Sequence, residues 1–323
     1  MAEWLIEEGI AEHRAVRLEG DAIAEARIHW PGELIAGTVA DAVLASRTRG
    51  STRGTVRFPG GEEALVDRLP ASAAEGAAIR VEITRPALSE HGRRKLARAR
   101  PSTSAPVSPT LAEQLRDEGH DVRQVRRFRT SDWDELIAEA FAGEASFPGG
   151  ALEFSPTPAM LLVDVDGTLD ARALALAAVP ALADALLRFD CGGSIGVDFP
   201  SLAAKADRKA VDETLAEALA GWPHERTAMN GFGFVQIVTR ISRPSLLHRA
   251  TFRRTAMAAR LLLRRAEALE GAGALLLAGH PALEAELTPD ILAQAARRTG
   301  RELRWEARPA LAIEAPQAQL VPL

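Results

Sequence analysis

The feature that most constrains this chain is a pair of short apolar runs, each ending in carboxylate, with a helical stretch between them. Residues 159–167 read AMLLVDVDG and residues 192–199 read GGSIGVDF. A nearly continuous run of Leu, Val and Ile this short reads as a strand lying inside a sheet. The stretch between, ALALAAVPALADALL at residues 173–187, is interrupted by Pro180 and Asp184, so it reads as a core helix and not as a bilayer span. A further helix at about residues 201–220 and a strand in GFGFVQIVTRIS complete a layered α/β unit. Upstream, SDWDELIAEAF is a helix capped by Thr130 or Ser131 with acids in its first turn, and Pro148-Gly149-Gly150 turns between two β-like runs.

The rest of the chain divides around that unit. Residues 1–33 alternate weakly, with Gly9 and Gly20-Asp21 as turn signals, and form a short N-terminal β segment. Over residues 34–96 the runs IAGTVADAVL, GTVRF, EALV and IRVEIT recur between Gly- and Pro-containing turns, which suggests a small five-stranded barrel; the OB-fold is the commonest nucleic-acid-binding version. Residues 97–119 carry the end of a basic run, GRRKLARAR, and then PSTSAPVSPT, with three Pro and no apolar period, and read as a basic linker. The layered unit takes residues 120–246. Residues 247–323 hold an Arg-rich helix and a small C-terminal α/β lobe with a helix ending at Gly300. The expected class is mixed α/β (α+β): an OB-fold-like β-barrel, a layered α/β catalytic domain and that lobe.

A length of 323 residues supports a core of ordinary size. The single cysteine, Cys191, excludes an intramolecular disulfide framework and leaves no cluster to hold zinc, as in a reducing compartment. The opening MAEWLIEEGIAEHR is too acidic for a signal or transit peptide, so a cytoplasmic protein with no membrane partner is expected. Net charge is −5, but sign is segregated: residues 80–129 hold twelve Lys/Arg against six acids, and residues 240–266 hold eight Arg and no acid. Such stripes either neutralise phosphates or form solvated helix faces. Arg93, Arg94, Lys95, Arg240, Arg243, Arg249 and Arg253 are the candidate phosphate contacts. His224, His248 and His280 lack metal-ligand spacing, and the five Trp are expected in the core.

Chemistry concentrates at the strand ends. Asp164 and Asp166 are spaced i, i+2 and share a strand face; Asp198 ends the second strand. Carboxylates emerging from neighbouring buried strands can hold a hard cation, magnesium or possibly manganese, with oxygen ligands and water. The ion can activate water and stabilise a phosphodiester transition state. The plainer alternative is that each Asp caps a turn.

Three pieces in order resemble the ribonuclease E/G family: AFAGEASFPGGALEFSPTPAMLLVDVDG, LLRFDCGGSIGVDF and GFVQIVTRISRPSL, together spanning residues 135–246. The resemblance implies a magnesium-dependent endoribonuclease that cleaves single-stranded RNA by metal-activated water, leaving 5′-phosphate and 3′-hydroxyl ends, with no DNA substrate. Asp164 and Asp198 match the magnesium-binding aspartates, and Asp166 stands where the family has a catalytic Asn. Of the barrel aromatics only Phe58 is placed; Thr55 and Leu65 occupy positions of expected rings. The 5′-monophosphate sensor has no counterpart, since Arg129-Thr130 is a bare dipeptide. The paired-Cys zinc link is also missing, so no zinc and a monomer or a homo-oligomer not linked by zinc are expected.

The same residues carry a rival resemblance. LVDVDGTL at residues 162–169 is similar to the first motif of haloacid-dehalogenase-type phosphatases, with Asp164 as nucleophile and Asp166 as general acid/base. That family also needs a later Ser or Thr, a Lys and an acidic pair, whereas Thr239 and Lys205 or Lys209 occur in the wrong order. A third reading is a weakly active or inactive RNA-binding relative, suggested by Asp166 for Asn, Gln236 for Glu and the absent sensor.

Overall fold

The computed structural model describes residues 3–90, 92–130 and 132–323; Ser131, one of the two expected cap residues, lies outside them. Thr130, the other, accepts a hydrogen bond on Oγ1 from the Asp132 amide at 3.1 Å.

The N-terminal alternation folds as an antiparallel meander of β1 (Trp4–Gly9), β2 (Glu12–Glu19) and β3 (Ala22–His29). The chain then leaves for the barrel: β4 (Val39–Arg47), β5 (Gly54–Arg57), β6 (Glu63–Val66) and β7 (Ala78–Arg85). A hairpin of β8 (Leu88–Glu90) and β9 (Arg93–Lys95) follows, and then β10 (Ala97–Pro101). Strand β10 runs parallel to β6 and antiparallel to β7 and closes the barrel. This corrects the linker expected from residue 97. In ARARP the two alanines, Ala97 and Ala99, are buried in the barrel core while Arg98 and Arg100 face out. Small inward residues between arginines leave almost no hydropathy signal for a strand.

The remainder of the expected linker is also ordered. Helix α1 (Leu111–Asp117) starts at a capping box formed by Thr110 and Glu113. Strand β11 (Val122–Val125) then pairs in parallel with β1, so the barrel is an insertion between two strands of the first sheet.

The layered unit comprises α2 (Asp132–Ala142), β12 (Glu144–Phe147), β13 (Gly150–Pro156), β14 (Leu161–Gly167), α3 (Ala171–Arg188), β15 (Gly193–Asp198), α4 (Lys205–Ala218), β16 (Glu225–Arg226) and β17 (Phe234–Thr239). Its sheet has the order β12-β13-β14-β15-β17-β16. Only β14 and β15 are parallel, because α3 carries the chain back between them. Val163, Val165, Ile195, Val197, Val235 and Ile237 are buried in one core with Leu174, Ala178 and Leu182 of α3. Alternation sends the intervening side chains to the opposite face, which is open to solvent.

Helices α5 (Leu246–Phe252) and α6 (Arg254–Glu267) lead to β18 (Ala274–Gly279), α7 (Pro289–Thr299), β19 (Leu303–Ala307) and β20 (Gln317–Val321). The apolar cluster is continuous from the first sheet to this C-terminal lobe, whereas the barrel has its own. Among the described residues no helix is long and apolar enough to cross a membrane.

A buried polar chain joins these layers. The Trp30 ring lies between the guanidinium groups of Arg249 and Arg260, each 4.0 Å from its centroid. Arg249, 1% exposed, donates to both Glu33 oxygens at 3.1 and 2.7 Å. Trp30 Nε1 donates to Glu12 at 2.8 Å; Glu12 and Glu7 both bind Arg14, and Glu7 also accepts from Arg264 at 3.3 Å. Buried ions of this kind are costly to unpair. We predict that Arg249→Ala lowers unfolding free energy by about 3 kcal/mol in urea denaturation, the low end for breaking a buried pair because Glu33 keeps some water. A loss below about 1 kcal/mol, the scale of a surface pair, would contradict this role.

The same region sets an acid limit. Burial pulls the His29 imidazole from 6.5 down to about 4, with His13, Arg249 and Arg243 adding to the shift against Glu33. Burial likewise lowers His248 from 6.5 to about 4. The unfolded chain therefore binds protons more readily than the fold between those values, so stability is complete above pH 6.5 and is lost as pH falls toward 4. A melting temperature that stays level through that window would contradict the prediction; in a His29→Gln variant the acid slope should be shallower.

Candidate functional site

The parallel register of β14 and β15 sets Asp164 directly beside Asp198. Neighbouring strands lie about 4.8 Å apart, and both side chains are exposed on the open face, opposite the buried Val163, Val165 and Val197. Carboxylates at that separation can share one small cation whose remaining positions are filled by water. Across the next strand pairs Glu153 of β13 lies beside Asp164 and Glu144 of β12 beside Glu153, so four carboxylates run in a row over adjacent strands. Glu153, Asp164 and Asp198 have no ion-pair or side-chain hydrogen-bond partner among the described residues. Like charges directly opposite in a sheet destabilise it, and a bound cation removes that cost.

The donor set fits magnesium in its usual form, one or two carboxylates with several waters. It is not a closed cage: among the described residues no group of three or more His, Cys, Asp or Glu is arranged to hold a metal ion. Asp166 lies on the same face two residues beyond Asp164, and its Oδ1 accepts from the Gly167 amide at 2.8 Å. One of its oxygens thus serves its own turn, and the other faces solvent beside the pair.

The remaining expected residues do not gather here. Phe58 is 5% exposed and belongs to the barrel core, which corrects its reading as a stacking ring: its side of β5's strand end faces the barrel interior. Arg93, Arg94 and Lys95 form the exposed β9, where Arg93 and Lys95 both flank Glu90. Arg243 is 4% exposed and held by Asp190 and Gln114, and Arg249 is locked to Glu33. Both are fold residues, a correction to their reading as phosphate contacts. Arg253 is half-buried with its guanidinium 5.4 Å from the Trp30 ring. Arg240 is exposed, but it follows Thr239, which pairs with Gly193 at the opposite end of β15 from Asp198. Five strand steps, about 16 Å, separate those ends.

That placement also bears on the phosphatase motif. Thr239 donates its hydroxyl to the Pro223 carbonyl at 2.6 Å and sits at the far end of the sheet, while Lys209 is paired with Glu213 on α4. Thr239 is therefore not brought to Asp164 as that motif requires. His224, His248 and His280 are likewise apart: His224 meets the Trp222 carbonyl and His280 caps the turn after it.

Two residues beside the pair escaped the sequence reading. Phe234 is the register partner of Asp198, and Phe232, in the loop before it, is 82% exposed. Their signal was present: an aromatic between Gly231 and Gly233 has no neighbours with which to form a core strand.

The sequence matches no protein-family model and no curated protein.

The unneutralised row predicts a trade of stability for function. In metal-free buffer Asp198→Asn should melt at or above the wild-type temperature, gaining about 0.2–1 kcal/mol by removing like-charge repulsion. If the pair holds magnesium, added magnesium should raise the melting temperature of the wild type and not of the variant. A variant that melts lower in chelator would show that Asp198 serves the fold instead.

Proposed function

We propose that this protein is a magnesium-dependent endoribonuclease acting on single-stranded RNA, with Asp164 and Asp198 holding the ion. The observation that carries the reading is the side-by-side placement of these two unpaired carboxylates, from neighbouring parallel strands, on an open sheet face. It is the arrangement the ribonuclease E/G resemblance calls for, reached through the segments that carry that resemblance.

The barrel supports the same reading. Around the closed ring the strands follow β4-β5-β6-β10-β7, with β6 and β10 parallel and the other neighbours antiparallel. That order is the one expected of an OB-type Greek-key barrel, a form that binds oligonucleotides. Exposed Arg57, Arg98 and Arg100 give its outer surface positive charge, although Arg57 and Arg100 are shared with Glu63 and Glu82.

A divalent cation at the pair supplies charge neutralisation for a phosphodiester and lowers the pKa of water at the site. The chain's own residues do the rest. Asp164 and Asp198 are aimed by β-strands whose inner faces are fixed in the core, so their separation is set before any ligand arrives. Asp166 adds negative charge beside them and offers its solvent-facing oxygen as an acceptor for a proton from water. An open face admits an extended strand.

The test is to incubate a fluorescent AU-rich single-stranded RNA and, in parallel, p-nitrophenyl phosphate with wild type, Asp164→Asn and Asp198→Asn in magnesium. RNA cleavage by the wild type, reduced at least about 10³-fold in each variant, is expected, because each removes a ligand from the charge that stabilises the transition state. Phosphate release without RNA cleavage would replace this reading with the phosphatase. RNA binding with neither activity would identify a non-catalytic relative.

A further inference from the structure

Two residues before Phe234, the register partner of Asp198, stands a second feature of this end of the sheet. Phe232 is the one aromatic ring in the exposed class among the described residues, at 82% exposure. Burying such a ring against a ligand is worth roughly 1.5–3 kcal/mol.

Its mount is rigid. Asn230 Oδ1 accepts from the amides of Phe232 at 2.8 Å and Phe234 at 3.1 Å. The Asn230 amide donates to the Phe234 carbonyl at 3.1 Å, and Ser201 Oγ donates to the Phe232 carbonyl at 3.2 Å. Gly233 between the two rings has φ +93°, and any Cβ there would collide with the Phe199 carbonyl. Phe199, next after Asp198, donates its amide to Gly233 at 3.2 Å, which holds the loop against the strand that ends in the site.

On the other side of Asp198 along β15 lies an apolar floor. The Phe234 ring and Met160 Sδ lie over Gly196, where an added Cβ would come within 2.5 Å of Phe234 Cζ and 2.9 Å of the sulfur. Met160 is itself pinned through a turn with Thr157. Leu162, beside Gly196 in register, is 38% exposed. Gly196 and Leu162 each precede an aspartate of the pair by two residues on the same face, about 6.6 Å away along the strands.

We propose that Phe232, held at the end of β15 just beyond Asp198, is a stacking subsite for the unpaired nucleobase that flanks the phosphodiester at Asp164 and Asp198; this rests on the endoribonuclease reading. Stacking accepts any base, since each presents a π-face. A protein partner fits the surface poorly, because its apolar contact would have to desolvate Glu153, Asp164 and Asp198, and charged groups are depleted from interface cores. The subsite also replaces what the barrel lacks, since Phe58 is buried there.

The test compares wild type, Phe232→Ala and Phe232→Trp on a single-stranded RNA whose cleavage site has been mapped, and on the same RNA with an abasic ribose beside that site. Phe232→Ala should lower kcat/KM on intact RNA roughly tenfold, and Phe232→Trp should restore it. On the abasic RNA wild type and Phe232→Ala should be equal. Equal rates on intact RNA, or the same loss on both RNAs, would overturn the subsite; so would a dimer that Phe232→Ala dissociates without changing cleavage. If wild type cleaves, Asp198→Asn does not and Phe232→Ala matches wild type, the subsite alone fails. If wild type neither binds nor cleaves RNA, the parent reading fails with it.

Discussion

The register of β14 on β15 is the constraint on which the rest depends. Val163, Val165, Ile195 and Val197 face α3, and Asp164 and Asp198 therefore face water. A slip of one residue would turn every side chain of a strand to the other face. It would place carboxylates against the helix, where an unpaired charge is far more expensive than the apolar contact it displaces. The aspartates thus enforce the alignment that brings them together. Helix α3 transmits the effect, because its apolar residues share one cluster with Val16, Ala26 and Ile28 of the first sheet. The site and the core arise from the same alternation, read from its two faces.

The arginines show how the same composition can serve an opposite end. In the stripe at residues 240–266, Arg243, Arg249 and Arg264 are buried and hold Asp190, Glu33 and Glu7. Two of those partners lie more than two hundred positions away in the chain, which no local charge count can detect. Arginine suits this role because its planar fork binds carboxylates bidentately and stacks on an indole, as at Trp30. The acids that complete the network lie in the first strands and in Glu33, so an acid-free stretch is neutralised by sequence-distant partners.

Legibility followed the strength of the local pattern. The strands at Leu161–Gly167 and Gly193–Asp198, the helix between them and the Gly300 helix end were all readable, because apolar runs and a left-handed glycine at φ 66° are local signals. The Asp164–Asp198 neighbourhood was readable only in part. Strand ends were evident from sequence, but their parallel pairing depends on where α3 returns the chain. The closing barrel strand was hidden because alanines do the inward packing, and β11 because its four residues, none of them buried, gain their strand from β1. Phe232 was missed for a different reason: rings were sought on the barrel, where resemblance placed them.

Electrostatics order the events at the open face. Glu144, Glu153, Asp164 and Asp198 present four adjacent negative groups, and Asp166 adds a fifth on the same face. A polyanion approaching them unaccompanied meets repulsion at the point where its phosphate must sit. Under the proposed function, a divalent ion at the pair would offset the two aspartate charges while leaving the apolar floor beside it unchanged. Affinity for RNA would then depend on that ion and much less on the distant arginines, most of whose charge is already spent within the fold. An ion held at one register position of one sheet would in this way let a chain of net charge −5 meet a polyanion.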